Sequence, residues 1–152
     1  MCIRDSAYNV NTLTLTIGAS NTVNNATFGV ASNTAVWSGN IAAPEVYNGV
    51  TVSAVNVIKT GTGKQIFDAT NGYTGTTLIN GGILQIGNAG TTGTLGTGAV
   101  TITSPGNLTF NRTNAYAPAN AISGTGSVTQ DGIGGTTTLT SPTYNGATTV
   151  NA

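Results

Sequence analysis

Apolar and polar residues alternate in short runs along the chain, and turn residues separate the runs at roughly the 8–12-residue spacing of all-β proteins. Thr12-Leu13-Thr14-Leu15-Thr16-Ile17 alternates strictly with period two, which predicts a strand with Leu13, Leu15 and Ile17 toward a core. A second strand is predicted within Asn33 to Ile41, carrying Val36 and Trp37. Val50, Val52, Val55 and Val57 predict two short strands around Ser53-Ala54. Further strands are expected at Gln65-Ile66-Phe67, Thr77-Leu78-Ile79, Ile83-Leu84-Gln85-Ile86, Val100 with Ile102, and Leu108 with Phe110, and Ile122, Val128, Leu139 and Val150 carry the last ones. Gly18 to Asn25, Ala42-Ala43-Pro44-Glu45, Asn71-Gly72, Asn80-Gly81-Gly82, Gly87 to Gly98 and Asn111 to Asn120 read as turns or loops, because Gly, Pro and Asn favour the backbone angles that turns need.

One stretch recurs. When the sequence is shifted along itself so that Val57 meets Val128, Gly61, Gly63, Tyr73, Gly75, Thr77 and Asn80 meet Gly132, Gly134, Tyr144, Gly146, Thr148 and Asn151 without a gap. Tyr-x-Gly-x-Thr is the informative part, since the chain has only five tyrosines. A recurring unit with short apolar runs is the mark of a solenoid, in which each unit buries its face against its neighbours. At roughly 20–25 residues per coil, a usual solenoid repeat, the chain makes about six or seven coils.

Lys59-Thr60-Gly61-Thr62-Gly63, Tyr73 to Thr77 and Gly82-Ile83-Leu84-Gln85-Ile86 resemble the autotransporter passenger-associated repeat of large bacterial surface proteins. Leu95 to Ile102, Asn107 to Arg112 and Ile122 to Val128 share the resemblance, which covers residues 57–152. Trp37 to Ile41 reads as the lead-in of one more unit, and residues 7–56 as divergent coils. Gln130 stands where the first unit has Lys59, and Asp68 where the second has Leu139. The resemblance implies a right-handed parallel β-helix, uncapped because it is an internal fragment. It also implies a surface stalk or an adhesin on the bacterial exterior, tethered through the outer membrane by a C-terminal β-barrel of the parent chain. Implied partners are host or neighbouring-cell surface ligands, glycan or protein. Gly61, Gly63, Tyr73, Gly75 and Thr77, with Gly132, Gly134, Tyr144, Gly146 and Thr148, are then the structural repeat motif.

Composition supports an all-β chain. Thr (30), Gly (22) and Asn (18) dominate the 152 residues, and charged residues are 5%, against about 25% in ordinary domains. Net charge is zero, so there is no basic footprint for nucleic acid. Disorder goes with high net charge, which is missing. Met1 to Ser6 differ in texture from the rest, hold the single Cys and Met, and read as a non-native leader. No apolar run approaches the roughly 18 or more residues of a membrane helix.

Candidate chemistry is sparse. With no His, neither a Ser-His nor a Cys-His pair can form, and zinc lacks its usual ligands. Beyond the leader the acids are Glu45, Asp68 and Asp131. Under the shift that aligns the two motif copies they share no phase, which argues against the paired carboxylates of a polysaccharide-cleaving β-helix. Gly61-Thr62-Gly63 and Gly124-Thr125-Gly126 lack the Lys-Ser/Thr of a phosphate loop and read as turns. Asp131 to Gly135 matches a calcium nonapeptide only loosely. Three Asn-x-Thr sequons, at Asn25, Asn107 and Asn111, are what so much Asn and Thr gives by chance. Tyr73 and Tyr144 read as rings packed on a neighbouring coil rather than as sugar platforms. No catalytic, cofactor or metal residue is expected.

Overall fold

The computed structural model describes residues 12–16, 24–29, 34–38, 40–41, 45–47, 50–52 and 54–151. The expected leader at residues 1–6, most of the turn from Gly18 and the Ala42 to Pro44 loop lie outside the described residues.

The strands are short and follow the predicted alternation. They are β1 (Thr12–Thr16), β2 (Asn24–Gly29), β3 (Thr34–Trp37), β4 (Glu45–Tyr47), β5 (Val50–Val52), β6 (Val55–Thr60), β7 (Lys64–Phe67), β8 (Thr77–Ile79) and β9 (Ile83–Gly90). There follow β10 (Val100–Ile102), β11 (Asn107–Arg112), β12 (Ala115–Tyr116), β13 (Ile122–Gly124), β14 (Ser127–Gln130), β15 (Thr136–Thr137), β16 (Thr143–Tyr144) and β17 (Thr148–Val150). None of the described residues is helical. Four of the expected loops carry structure: β2 begins at Asn24, β4 takes in Glu45, β9 runs on to Gly90, and β12 interrupts the loop that starts at Asn111, whereas Leu139, expected in a strand, lies between β15 and β16.

Successive strands alternate between two sheets. In the first, β2, β6, β8, β10, β13 and β16 pair in parallel, and in the second β3, β7, β9, β11, β14 and β17 do the same. A third side carries the two-stranded β12/β15 ladder and isolated bonds such as Gly72 N–H to Ile41 O (2.9 Å) and Thr97 N–H to Tyr73 O (2.9 Å). Consecutive strands of one sheet are therefore one turn apart in the chain, which is a parallel β-solenoid.

The pairing register sets the period. Val57 faces Thr77, Thr77 faces Val100, Val100 faces Ile122 and Ser123 faces Thr143. These partners are nearly evenly spaced along the chain, at the short end of the range of solenoid repeats. Four full turns thus lie between β6 and β16, fewer than the six or seven coils expected. The difference arises at the other end. The turn from Asn24 to Val55 uses far more chain than any later one, because β4 and β5 leave the coil as an antiparallel pair of their own. β1 runs antiparallel to β2 and adds no coil.

The register also stacks like side chains into columns. In the first sheet Val57, Thr77, Val100 and Ile122 form one inward column, and in the second Leu84, Leu108 and Val128 form another. All of these are buried, as are Phe67, Ile86 and Phe110 beside them. Phe28 closes this core with edge-to-face contacts to Phe67 (5.2 Å) and Trp37 (6.0 Å). Val55–Thr60 buries every second residue, so Val55, Val57 and Lys59 point inward while Asn56, Ile58 and Thr60 are half-buried.

Each buried aliphatic side chain contributes about 1.5–3 kcal/mol. Leu108 lies in the middle of its column, and Leu108→Ala is expected to destabilise the chain by about 2–5 kcal/mol, read as a lowered urea midpoint. Thr101→Val, on an exposed outward position of β10, is expected to stay within about 0.5 kcal/mol.

Candidate functional site

The recurring motif places its residues at the edges between the sides of the solenoid. Tyr73 precedes β8 and is fully buried; its phenol oxygen lies 2.7 Å from Thr77 Oγ1, which is also buried. Gly75 sits between them because a Cβ there would fall onto Val55 O of the coil below. Tyr144 lies 2.6 Å from Thr148 Oγ1 in the same i,i+4 arrangement, yet Tyr144 is half-buried and Thr148 exposed.

The two copies do not occupy equivalent places. Val57 belongs to the first sheet and Val128 to the second; Thr77 lies in β8 of the first sheet and Thr148 in β17 of the second. The second copy stands three turns and one side beyond the first, not a whole number of coils away. The motif survives the displacement because its hydrogen bond is local and spans one bend of the chain wherever that bend lies.

The same displacement corrects the phase assigned to the acids. Phe67, Ile86, Phe110 and Gln130 form one column of the second sheet, so Asp68 and Asp131 follow equivalent positions three coils apart. At about 4.8 Å per coil they stand about 14 Å from each other, beyond the about 5–9.5 Å of paired catalytic carboxylates. Asp68 accepts a bond from Thr92 Oγ1 (3.1 Å) and Asp131 from Asn151 Nδ2 (3.0 Å). Among the described residues no group of three His, Cys, Asp or Glu side chains comes together.

The edge between the first and second sheets is tightly packed. Gly63, Gly82, Gly106 and Gly126 stack there directly before β7, β9, β11 and β14. Gly63 O accepts from Ile83 N–H (3.1 Å), Gly82 O from Asn107 N–H (2.9 Å) and Gly106 O from Ser127 N–H (3.1 Å). Gly82 has φ +62°, and a Cβ on it would meet Gly63 O and, at 2.8 Å, Lys59 Nζ. A Cβ on Gly126 would lie 2.5 Å from Gly106 O.

Lys59 points into this edge. Its side chain is fully buried, and Nζ donates to Thr60 O (2.6 Å), Gly61 O (3.0 Å) and Gly81 O (3.2 Å). Burial pushes its pKa down to about 8. Gln130, which replaces Lys59 in the second motif copy, also donates to a glycine two residues on, Gly132 O (3.3 Å), and reaches Gly135 O at 3.5 Å. Gln85 does the same with Gly87 O (2.8 Å). Sequence reasoning missed this shared role, although the signal is plain: a donor two residues before Gly, in Lys59-Thr60-Gly61, Gln85-Ile86-Gly87 and Gln130-Asp131-Gly132. Arg112, at the end of β11, donates to Gly93 O and Thr91 O, and its guanidinium lies 4.6 Å from the Tyr116 ring centroid.

Residues 57–86 match the Passenger-associated-transport-repeat family. The chain is 44% identical over 64 residues to the adhesin BmaC autotransporter of Brucella suis biovar 1 (strain 1330). That match covers 42% of this chain and 2% of the relative. No solved structure matches the chain.

Two outcomes are expected from these contacts. Tyr73→Phe leaves buried Thr77 Oγ1 without its partner and should cost about 1–3 kcal/mol in urea unfolding, whereas Tyr144→Phe should stay within about 0.5 kcal/mol. Lys59 releases its proton near pH 8 when folded and near pH 10.5 when unfolded. The unfolded chain therefore holds more protons between these values, and stability should rise with pH across that window. Lys59→Met should remove the rise, as read from urea midpoints at pH 7.5 and 9.5.

Proposed function

We propose, from the premise that residues 57–86 of this chain are a passenger-associated-transport repeat, that the chain is a length-giving segment of an autotransporter passenger. It would hold other parts of the protein away from a bacterial surface and carry out no catalysis of its own. The observation that supports this best is the continuous stack. From β6 to β16 one apolar core runs through four turns without interruption, and each turn adds only backbone ladders and another layer to the same columns. Such a structure gains length in proportion to chain, about 4.8 Å per coil. The separation of Asp68 from Asp131 weighs against a carbohydrate-cleaving site.

A second reading is that the outward face itself adheres. The relative's name, an adhesin, favours it. So does the outward row formed by Asn107, Ser127 and Thr129, in which Asn107 Nδ2 donates to Ser127 Oγ (2.7 Å) and Thr129 Oγ1 (3.0 Å). This polar, nearly uncharged surface suits contacts with glycans.

The two readings differ in a single experiment. Bacteria displaying the full-length protein are compared with bacteria whose exposed Thr97, Thr101 and Thr103, together with Ser127 and Thr129, are replaced by lysine. Unchanged adhesion to host cells at equal surface display is expected for a spacer. Loss of adhesion would overturn that role and favour the binding face.

A further inference from the structure

The chain holds three described Asn-Gly pairs, Asn71-Gly72, Asn80-Gly81 and Asn145-Gly146, which are chemically identical and structurally unlike; Asn48-Gly49 lies outside the described residues. We propose that Asn80 and Asn145 are spontaneous deamidation sites of the folded protein, with water as co-reactant, and that Asn71 is inert. In this reaction the backbone nitrogen of the following glycine loses its proton and attacks the Asn Cγ. An N–C bond forms, the Cγ–Nδ2 bond breaks, and the side-chain nitrogen leaves as ammonia carrying a proton. Water then opens the five-membered imide to aspartate or isoaspartate. No electrons are transferred. Glycine is the favourable neighbour because it has no Cβ to obstruct the approach and adapts its backbone readily.

The two reactive groups are locked at Asn71. It is buried, its Oδ1 accepts from Ile41 N–H (2.9 Å), and its Nδ2 donates to Thr94 O (2.8 Å) and Ala69 O (3.3 Å). The attacking nitrogen, Gly72 N, donates to Ile41 O (2.9 Å) and Asn40 Oδ1 (3.0 Å). Ring closure there requires these bonds to open together.

Asn80 and Asn145 stand at the edge between the two sheets, after β8 and β16. Both side chains are exposed. Their backbones are anchored to the coil below, Asn80 N–H to Lys59 O (2.9 Å) and Asn145 N–H to Gly124 O (2.8 Å). Among the described residues nothing bonds to either amide side chain or to the N–H of Gly81 or Gly146. At both sites the amide side chain and the glycine N–H can react without breaking a hydrogen bond of their own, although Gly81 is buried and its carbonyl accepts from Lys59 Nζ (3.2 Å). Conversion puts two carboxylates on a chain whose net charge is zero.

The test incubates the full chain at mildly alkaline pH, native and in denaturant, and follows each site by peptide mass mapping. The native-to-denatured rate ratio is expected to be about a hundredfold lower at Asn71 than at Asn145, the factor carried by opening several hydrogen bonds; Asn80 should stay within about tenfold of Asn145. Hydroxylamine, which cleaves the imide, should cut native protein after Asn80 and Asn145 and not after Asn71. Gly81→Ala is the control, because a Cβ there meets nothing nearer than Gly61 O at 3.4 Å. It should slow Asn80 alone. Equal native ratios at the three sites, protection of Asn80 and Asn145 equal to that of Asn71, or an Asn80 rate indifferent to Gly81→Ala would each overturn the proposal.

Discussion

A solenoid strand finds its backbone partners in the coils above and below it, because nothing within its own turn lies close enough to pair. The ladders of β6 to β14 thereby tie each strand to the neighbouring layers at a spacing of about 4.8 Å. This constraint governs the rest. Side chains at the same height in successive coils must be stackable, so the inward columns are filled by Val, Leu, Ile and Phe, shapes that tolerate one another in layers. Bends must repeat at matching places, and only glycine fits where one bend rests on the carbonyl of the next.

The bends also leave carbonyl oxygens converging at the edges, which strands cannot satisfy. The chain answers with side chains that only donate or can donate: Lys59 to three carbonyls, Arg112 to two, Gln85 and Gln130 to those of nearby glycines. Lys59 carries a cost that the glutamines avoid, since an ammonium with no carboxylate bonded to it among the described residues is held in a poorly solvated place. Its lowered pKa expresses that cost, and its three acceptors offset part of it.

Much of this is legible in the sequence. Val55 and Val57 mark the inward positions of β6, although the pattern breaks at Ile58 and Lys59, where the polar side chain is the buried one, and the short apolar runs locate most strands. Three things are not legible. The number of coils is overestimated because nothing in the sequence marks β4 and β5 as an excursion or β1 as antiparallel; pairing partners lie far away in the chain, and direction leaves no local trace. The phase of the repeat escapes because the Tyr-x-Gly-x-Thr unit depends on a bond within a single bend, which is indifferent to the side of the column on which it falls. Asp68 and Asp131 fall out of phase in the sequence for the same reason. These donors are hidden because Lys and Gln look interchangeable with any polar strand residue until the glycine two residues on is seen as their acceptor.

The displacement of the motif by one side has a geometric consequence. A signature that returns after three turns and a side winds around the axis like the thread of a coarse screw. Tyr73 and Tyr144 therefore face different directions although their local surroundings match. Anything that recognised the motif would meet its two copies at two different azimuths. The two copies thus mark two different sides of the column, while the stacked side chains keep to one side from coil to coil.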